Sequence, residues 1–562
     1  MSWQSKWDHW KKHAQDDALR AEALTMGEAQ ARECFGRDLE FGTGGMRGVL
    51  GAGTNRINVY TIRKATQGFA EYIRAAGPGA VRRGVAIAHD NRRMSADFTM
   101  EAAGVLAANG IRAYVFDSLR PTPELSFAVR KLGCFGGIMI TASHNPPQYN
   151  GYKLYDETGC QLVPALSDSV TGFIARVGDE LAVQSLPGEK AGELIRTIGR
   201  EIDEAYYKAV LDIQLDLEPD KSGLKIVFSP QHGTANVPVR EVLTRLGYDL
   251  HVVEEQAFPD PDFRNTKSPN PENRAAFELA VEKAREISAD IVITTDPDAD
   301  RLGMAVLHRG NYAFLTGNQA GAVLLEYILS QRKAQGTLPS DGIVIDTIVT
   351  GGLGERIAEA YGMATERTLT GFKFIGDRIH AYEQNGEHTY VFGYEESYGY
   401  LISPIARDKD AIQAVLMACE AALFYKKRGR TLKDVLEGLF AAYGYYTEGQ
   451  HAVELEGAAG KERIAQIMRE LRENPPRELA GLAVSALEDY ESGVRLSRGV
   501  RSELTLPKSD VLKFILEDGS WAAARPSGTE PKCKFYFCAQ GKSPEEARAK
   551  LDGMTGFFKR FG

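Results

Sequence analysis

Short apolar, β-branched runs alternate with longer stretches of helical spacing along most of the chain, and that rhythm predicts the architecture. Residues 85–88, 113–116, 137–140, 225–228, 250–253 and 291–294 have the length and composition of buried strands. The pattern resumes at 343–345 and 390–392 after a helix-like stretch over 319–331. Strands alternating with helices in this way read as βαβ units with parallel or mixed sheets. The rhythm lapses near 202–220, 309–318 and 429–444, which divides the chain into α/β modules at 1–205, 206–315 and 316–435. Residues 436–562 follow a different pattern: a charged helical region over 461–473, strand-like runs at 511–516 and 534–538, and a closing helix over 544–558. The expectation is three consecutive α/β modules with mixed sheets plus a smaller C-terminal α+β domain, arranged around a central cleft. At the N-terminus Trp3, Trp7 and Trp10 recur at helical spacing, which predicts an amphipathic helix docked on the body of the protein.

Composition narrows the class. A chain of 562 residues is too long for one core, and roughly 150 residues per domain gives about four. The net charge of −9, without a basic stripe, argues against a nucleic-acid partner. No apolar run of about 20 residues is present to span a membrane, and the polar N-terminus lacks a signal peptide's apolar segment. Six scattered cysteines without a CxxC pair indicate neither a zinc knuckle nor a disulfide framework, which fits a reducing, cytoplasmic setting.

Four polar loops follow strand-like runs, where open α/β sheets place their ligands. In the first, Thr141-Ala142-Ser143-His144-Asn145-Pro146-Pro147, the prolines forbid helix and hold the Ser143 hydroxyl out from the backbone beside His144. In the second, Asp296-Pro297-Asp298-Ala299-Asp300-Arg301, three carboxylates at alternate positions repel one another unless a cation sits between them, and hard oxygen ligands suit Mg²⁺. An EF-hand loop would need Gly at Arg301 and Glu at Leu307, and an Asp-rich surface turn is the plain alternative. The third, Gly393-Tyr394-Glu395-Glu396-Ser397-Tyr398-Gly399, offers carboxylates and a hydroxyl to vicinal sugar hydroxyls, or is a glycine-bounded acidic turn. The fourth, Arg525-Pro526-Ser527-Gly528-Thr529-Glu530, combines a guanidinium fork, two hydroxyls and a flexible Gly528, which suits a phosphate, with a simple inter-strand turn as the alternative. Arg47, in a Gly-rich segment that does not match a P-loop, is a candidate anion contact. A hydroxyl nucleophile, a metal site, a sugar loop and a phosphate clamp together amount to phosphoryl-transfer equipment.

These loops, in this order over nearly the whole chain, resemble those of the α-D-phosphohexomutase superfamily. The resemblance implies that Ser143 carries a phosphoryl group in the active enzyme, with Mg²⁺ held by Asp296, Asp298, Asp300 and a phosphoryl oxygen on Ser143. Arg525, Ser527, Gly528 and Thr529 would hold the phosphate that is not reacting, while Glu395 and Ser397 hold the sugar hydroxyls. His144, Lys153 and Arg47 would stand near the reacting oxygens, and Arg301 would face the substrate. Arg407-Asp408-Lys409-Asp410 looks like the Arg-x-Lys-Asp of the glucose-type phosphoglucomutase branch, which makes Lys409 a proton-transfer candidate and Arg407 a substrate contact. Thr370-Gly371-Phe372-Lys373-Phe374 is similar to that branch's sugar-facing Thr-Gly-Trp-Lys-Phe loop, with Phe372 in place of Trp. Asp90-Asn91-Arg92 and Ser95 look structural around the nucleophile loop, and the stretch 259–272 is expected only to stabilise the fold.

The activity implied is interconversion of glucose 1-phosphate and glucose 6-phosphate, with glucose 1,6-bisphosphate as intermediate and activator and sugar phosphates as the small-molecule partners. Phosphopentomutases, phosphomannomutases and sugar-bisphosphate synthases of the same superfamily are alternatives, and Ser397, where pentose relatives carry Ala, favours hexoses. Two other classes compete: a phosphatase that forms an aspartyl phosphate on Asp296, and a phosphosugar sensor without catalysis.

Overall fold

The computed structural model describes residues 2–42, 45–218, 220–527 and 531–562, so the expected contacts of Gly528 and Thr529 lie outside the described residues. In the first module the strands run in the order Gly45–Val49, Tyr149–Tyr155, Gly136–Ile140, Val85–His89, Ala113–Phe116, Ile195–Ile198. The last four are parallel and the first two antiparallel at one edge. Alternate residues of the central strands feed two cores, because successive side chains point to opposite faces. Val85, Ile87, Ile138 and Ile140 pack with Phe98, Ala102 and Leu106 of helix Ser95–Ala108. Ala86, Ala88 and Met139 pack with Leu125, Ala128 and Val129 of helix Thr122–Leu132. Helices on both faces explain why these strands read as continuous apolar runs.

The tryptophan stripe lies on helix Trp3–His13, which packs with helices Asp17–Thr25 and Glu28–Phe35 as a cap on the first module. Trp10 is fully buried, edge-on to Phe35 and Tyr60, and its indole N–H donates to Glu180 Oε1 at 2.8 Å. Trp3 and Trp7 are half-buried beside it.

The second sheet runs Asn311–Leu315, Leu302–His308, Ile291–Thr295, Lys225–Ser229, Asp249–Val252, and the third runs Ala364–Thr368, Gly342–Thr347, Thr389–Glu395, Gly399–Leu401. One continuous core joins them, threaded by helices Gly317–Gln335 and Ala411–Lys426. The second of these is buried on nearly all sides, so it lies between layers and not on a surface. The expected boundaries at 205 and 435 fall inside helices Arg200–Leu211 and Leu432–Tyr443. Tyr206, Tyr207 and Val210 of the former belong to the core shared by the second and third modules.

The fourth sheet is antiparallel, in the order Tyr445–Glu454, Lys532–Gly541, Trp521–Pro526, Leu512–Leu516, Leu482–Asp489, Val494–Ser497, Val500–Glu503. Helices Gly457–Glu473 and Pro544–Phe558 cover it, close to the expected positions. Its strands Tyr445–Glu454 and Val500–Glu503 were not expected, because so many of their positions are polar and solvent-facing. Among the described residues no helix is long and apolar enough to cross a membrane.

Replacing Trp10 with Ala removes the anchor of the N-terminal cap and is expected to cost about 3 kcal/mol of docking energy. Limited proteolysis checks this: cuts should concentrate within residues 14–27 of the variant while the rest of the chain stays as resistant as wild type.

Candidate active site

The serine loop leaves strand Gly136–Ile140 and is held from beneath by one arginine. Arg92, fully buried, donates from Nη1 to the carbonyls of Pro146 at 2.9 Å and Tyr149 at 3.0 Å, and from Nη2 to those of Ser143 and Asn145, both at 2.5 Å. Asp90 orients that arginine, with Nε to Oδ2 at 3.2 Å, and accepts from Thr141 Oγ1 at 2.7 Å and Ser95 Oγ at 2.8 Å. The frame expected around the nucleophile is thus a planar donor fork closing four carbonyls, a task suited to a guanidinium. Ser143 itself sits at φ 51°, a left-handed conformation uncommon for a side-chain-bearing residue. Gly151 lets the neighbouring strand come close, since a Cβ there would lie 2.5 Å from the Thr141 carbonyl oxygen.

From this position the Ser143 hydroxyl donates to Asp296 Oδ2 at 2.8 Å, across the junction with the second module. His144 Nδ1 lies 3.2 Å from the same hydroxyl. Desolvation in the cleft, then the guanidiniums of Arg301 and Arg47, holds the imidazole well below its ordinary pKa, so it is neutral at pH 7. Arg47 is exposed and donates to Asn145 Oδ1 at 2.8 Å, at the edge of the loop.

Asp296, Asp298 and Asp300 are all buried, and each offers an oxygen within 4.8 Å of the others. Asp298 Oδ1 and Asp300 Oδ1 are shielded and have no hydrogen-bond partner among the described residues. Burial and then the neighbouring Asp300 and Asp298 push the Asp296 carboxyl well above the carboxylate range. A triad of hard oxygen donors with unspent lone pairs and mutual repulsion fits one Mg²⁺. The other Asp296 oxygen, Oδ1, accepts the backbone N–H groups of Asp300 at 3.1 Å and Arg301 at 2.9 Å, so both oxygens are engaged. That is poor placement for an aspartyl nucleophile.

Two lysines meet the triad at Asp300. Lys153, from strand Tyr149–Tyr155, donates to Asp298 Oδ2 at 2.8 Å and stands 3.7 Å from Asp300. Lys409, from the third module, stands 3.1 Å from Asp300 Oδ2 and 2.9 Å from Asp408 Oδ1. Burial lowers both pKa values, but the carboxylates outweigh it and hold both ammoniums above the ordinary lysine value.

On the sugar-loop side, Glu395 is buried and accepts from the Gly371 backbone N–H at 2.8 Å, so two loops expected to face the substrate meet. Thr370 Oγ1 is shielded and unpartnered among the described residues, and Ser397 is half-buried at the turn. Burial and then Glu395 raise the neighbouring Glu396 carboxyl to about 7, while the charge of Arg525 pulls the other way. The Ser527 N–H donates to the Lys532 carbonyl at 2.8 Å, closing the base of the fourth-module loop.

One expectation is corrected. Arg407 is fully buried, its guanidinium bound to the carbonyls of Pro404 and Ala406 and paired with Glu383. With no surface to offer a ligand, it clamps the packing of helix Phe372–Asn385. Arg301 pairs with Glu272, which gives the 259–272 stretch a place at the cleft edge; the same stretch anchors Asn91 through the Asp260 carbonyl at 3.0 Å. Sequence reasoning also missed Thr122, whose hydroxyl donates to Asp298 Oδ2 at 3.1 Å from the start of a helix. The run Pro121-Thr122-Pro123 signals that helix start but not its neighbour.

Four domain models of one family match the chain in order: phosphoglucomutase/phosphomannomutase α/β/α domain I over residues 38–179, domain II over 204–310, domain III over 316–443 and the C-terminal domain over 464–552. A curated phosphoglucomutase of Staphylococcus epidermidis is 40% identical over 513 residues, covering 90% of this chain and 92% of the relative. The chain belongs to the phosphoglucomutase/phosphomannomutase family of the α-D-phosphohexomutase superfamily. It is an isomerase of the intramolecular phosphotransferase kind. A phosphoglucomutase of Staphylococcus aureus is 38% identical over 97% of both chains. In fold, the family member resembles the crystal structure of a putative phosphomannomutase from Thermus thermophilus, with a TM-score of 0.67 at 23% identity, covering 93% of this chain and 99% of that one.

If Arg92 holds the nucleophile loop of this mutase, Arg92→Lys, which keeps the charge but loses the fork, lowers kcat about a hundredfold while KM moves little. Steady-state kinetics at saturating sugar phosphate checks the split; an unchanged kcat would contradict the role.

Proposed function

We propose that this family member interconverts glucose 1-phosphate and glucose 6-phosphate through a phosphoserine at Ser143 and a glucose 1,6-bisphosphate intermediate, in the cytoplasm. The observation that carries the reading is the Ser143 hydroxyl, 2.8 Å from Asp296 Oδ2 of a buried carboxylate triad that also meets two lysines, each drawn from a different module. Phosphoglucomutase relatives at 37–40% identity over most of the chain support the glucose assignment over the pentose, mannose and bisphosphate-synthase alternatives.

In the first half-reaction the bond from phosphorus to Ser143 Oγ breaks and a bond from that phosphorus to the attacking sugar oxygen forms; in the second, the bond from the other phosphorus to its sugar oxygen breaks and a bond to Ser143 Oγ forms, and each time the attacking hydroxyl gives up a proton and the leaving oxygen takes one up. Asp296, Asp298 and Asp300 would hold Mg²⁺, whose charge would stabilise the phosphoryl oxygens and offset the carboxylates that keep the two lysines charged. Lys153 and Lys409 are the groups placed to take or return the proton. The neutral imidazole of His144 stays on Ser143 Oγ as a hydrogen-bond partner. Glu395 aligns the sugar hydroxyls, with Ser397, Thr370 and Arg301 around the same face. Arg525 with Ser527, Gly528 and Thr529 holds the distal phosphate, a site that must accept either end of the sugar because the bisphosphate turns between half-reactions. Arg47 serves as an anion contact at the loop edge.

A pocket built for the hydroxyls of one sugar rejects others mainly through unpaired polar groups. On one bisphosphate-primed, Mg²⁺-loaded preparation, kcat/KM for glucose 1-phosphate is expected to exceed those for mannose 1-phosphate and ribose 1-phosphate by about tenfold or more. A coupled assay for each product measures this; dominance of ribose 1-phosphate would reassign the substrate.

A further inference from the structure

The two lysines at the carboxylate triad come from different modules, yet both are set by one strand. Strand Tyr149–Tyr155 carries Lys153 and, two residues on and so on the same face, Tyr155. Lys153 reaches the triad directly, through Asp298. Tyr155 is fully buried and its phenol crosses to the third module, donating to Asp408 Oδ2 at 2.9 Å. The other oxygen of Asp408, Oδ1, accepts from Lys409 twice, from the backbone N–H at 2.8 Å and from Nζ at 2.9 Å. The same Nζ then stands 3.1 Å from Asp300 Oδ2. The Lys409 stem lies flat across Gly399, where a Cβ would come within 2.1 Å of its Cδ, so the stem leaves no room for a side chain beneath it. Its ammonium is left between the two carboxylates, 5.7 Å from the centre of the Phe372 ring.

We infer that Tyr155 is a positioning residue for phosphoryl transfer: through Asp408 it holds the Lys409 ammonium at the triad, in register with Lys153 on its own strand. The inference rests on the proposed role of Lys409 in proton transfer. Tyr155 keeps its proton throughout and touches no reacting atom. A lysine on a four-carbon stem has many rotamers, and a carboxylate free to turn about its own torsions would not select one. The phenol fixes the plane of Asp408 by occupying one oxygen, which leaves the other aimed at Lys409. It also links two modules at the point where their relative placement decides whether both lysines meet the same carboxylates. A purely packing role would need only the ring, which lies among Ala86, Ala88, Val129 and Met139 in the first-module core. The hydroxyl, with its acceptor on another module, is the part that the packing does not explain.

A double-mutant cycle in full-length enzyme, assayed with glucose 1-phosphate and bisphosphate primer, tests this. Tyr155→Phe keeps the ring and removes the donor; kcat is expected to fall about tenfold to a hundredfold, with KM unchanged and the melting temperature close to wild type. Asp408→Asn, made separately, is expected to lower kcat by a similar factor, and it serves as the test should the phenylalanine variant fold poorly. In the Asp408→Asn background, Tyr155→Phe is expected to cause no further loss, because the path it acts through is already cut. Wild-type kcat in Tyr155→Phe would overturn the inference. So would an equal loss in both backgrounds, which would mean that the hydroxyl acts through the fold at large. Lys409→Ala in the same assay separates the two levels: if it turned over like wild type, the lysine assignment beneath the inference would fall, whereas a severe loss there with an unaffected Tyr155→Phe would remove only the role of the tyrosine.

Discussion

Three carboxylates buried within 4.8 Å of one another are the constraint on which the rest of this molecule depends. Each charge costs several kcal/mol to remove from water, and each raises the cost of its neighbours. The chain meets part of that cost with ammonium groups that the second module does not itself contain: Lys153 comes from the first module and Lys409 from the third. Docking of the modules and assembly of the site are therefore one event. A first-module helix start also hydrogen-bonds the loop through Thr122, and the backbone of Leu302 joins Tyr398 at 3.0 Å from the third-module side. A cation held by the three carboxylates, as proposed, would complete the balance and in the same act prepare the site for a doubly negative substrate.

The loops that meet here are held in conformations that they would not adopt alone. Ser143 at φ 51°, Ala299 at φ 56° and Tyr398 at φ 66° place a strained, side-chain-bearing residue in the serine, carboxylate and sugar loops alike. Each such residue costs on the order of 1–3 kcal/mol, which the surroundings must over-determine. For the serine loop that is Arg92 and its four carbonyls; for the carboxylate loop it is the pair of backbone N–H groups on Asp296 Oδ1. Strain placed at the ends of rigid strands keeps the hydroxyl, the carboxylates and the sugar contacts at fixed separations, which is what phosphoryl transfer by positioning requires.

Much of this was legible in the sequence because its chemistry is local. The serine and carboxylate loops each follow a run apolar enough to announce a buried strand, and each carries its reactive groups within a few residues. What escaped was pairwise and long-range. Nothing in the 259–272 stretch shows that Glu272 will meet Arg301, or in Tyr155 that its partner is Asp408, because those contacts exist only once modules dock. Arg407 misled for the opposite reason: it sits in a motif with Lys409, but its guanidinium turned inward to Glu383 and two carbonyls while the lysine reached the triad. Strands Tyr445–Glu454 and Val500–Glu503 of the fourth module were missed because so many of their positions are polar and solvent-facing.

The central claim is that Ser143, held against the carboxylate triad, is the group that carries phosphate between half-reactions. Peptide mapping by mass spectrometry of enzyme incubated with Mg²⁺ and glucose 1,6-bisphosphate tests it most directly. The account predicts one phosphoryl group per chain, stable to hydroxylamine, on the peptide that contains Ser143. A hydroxylamine-labile phosphoryl group on the peptide that contains Asp296, with Ser143 unmodified, would contradict it.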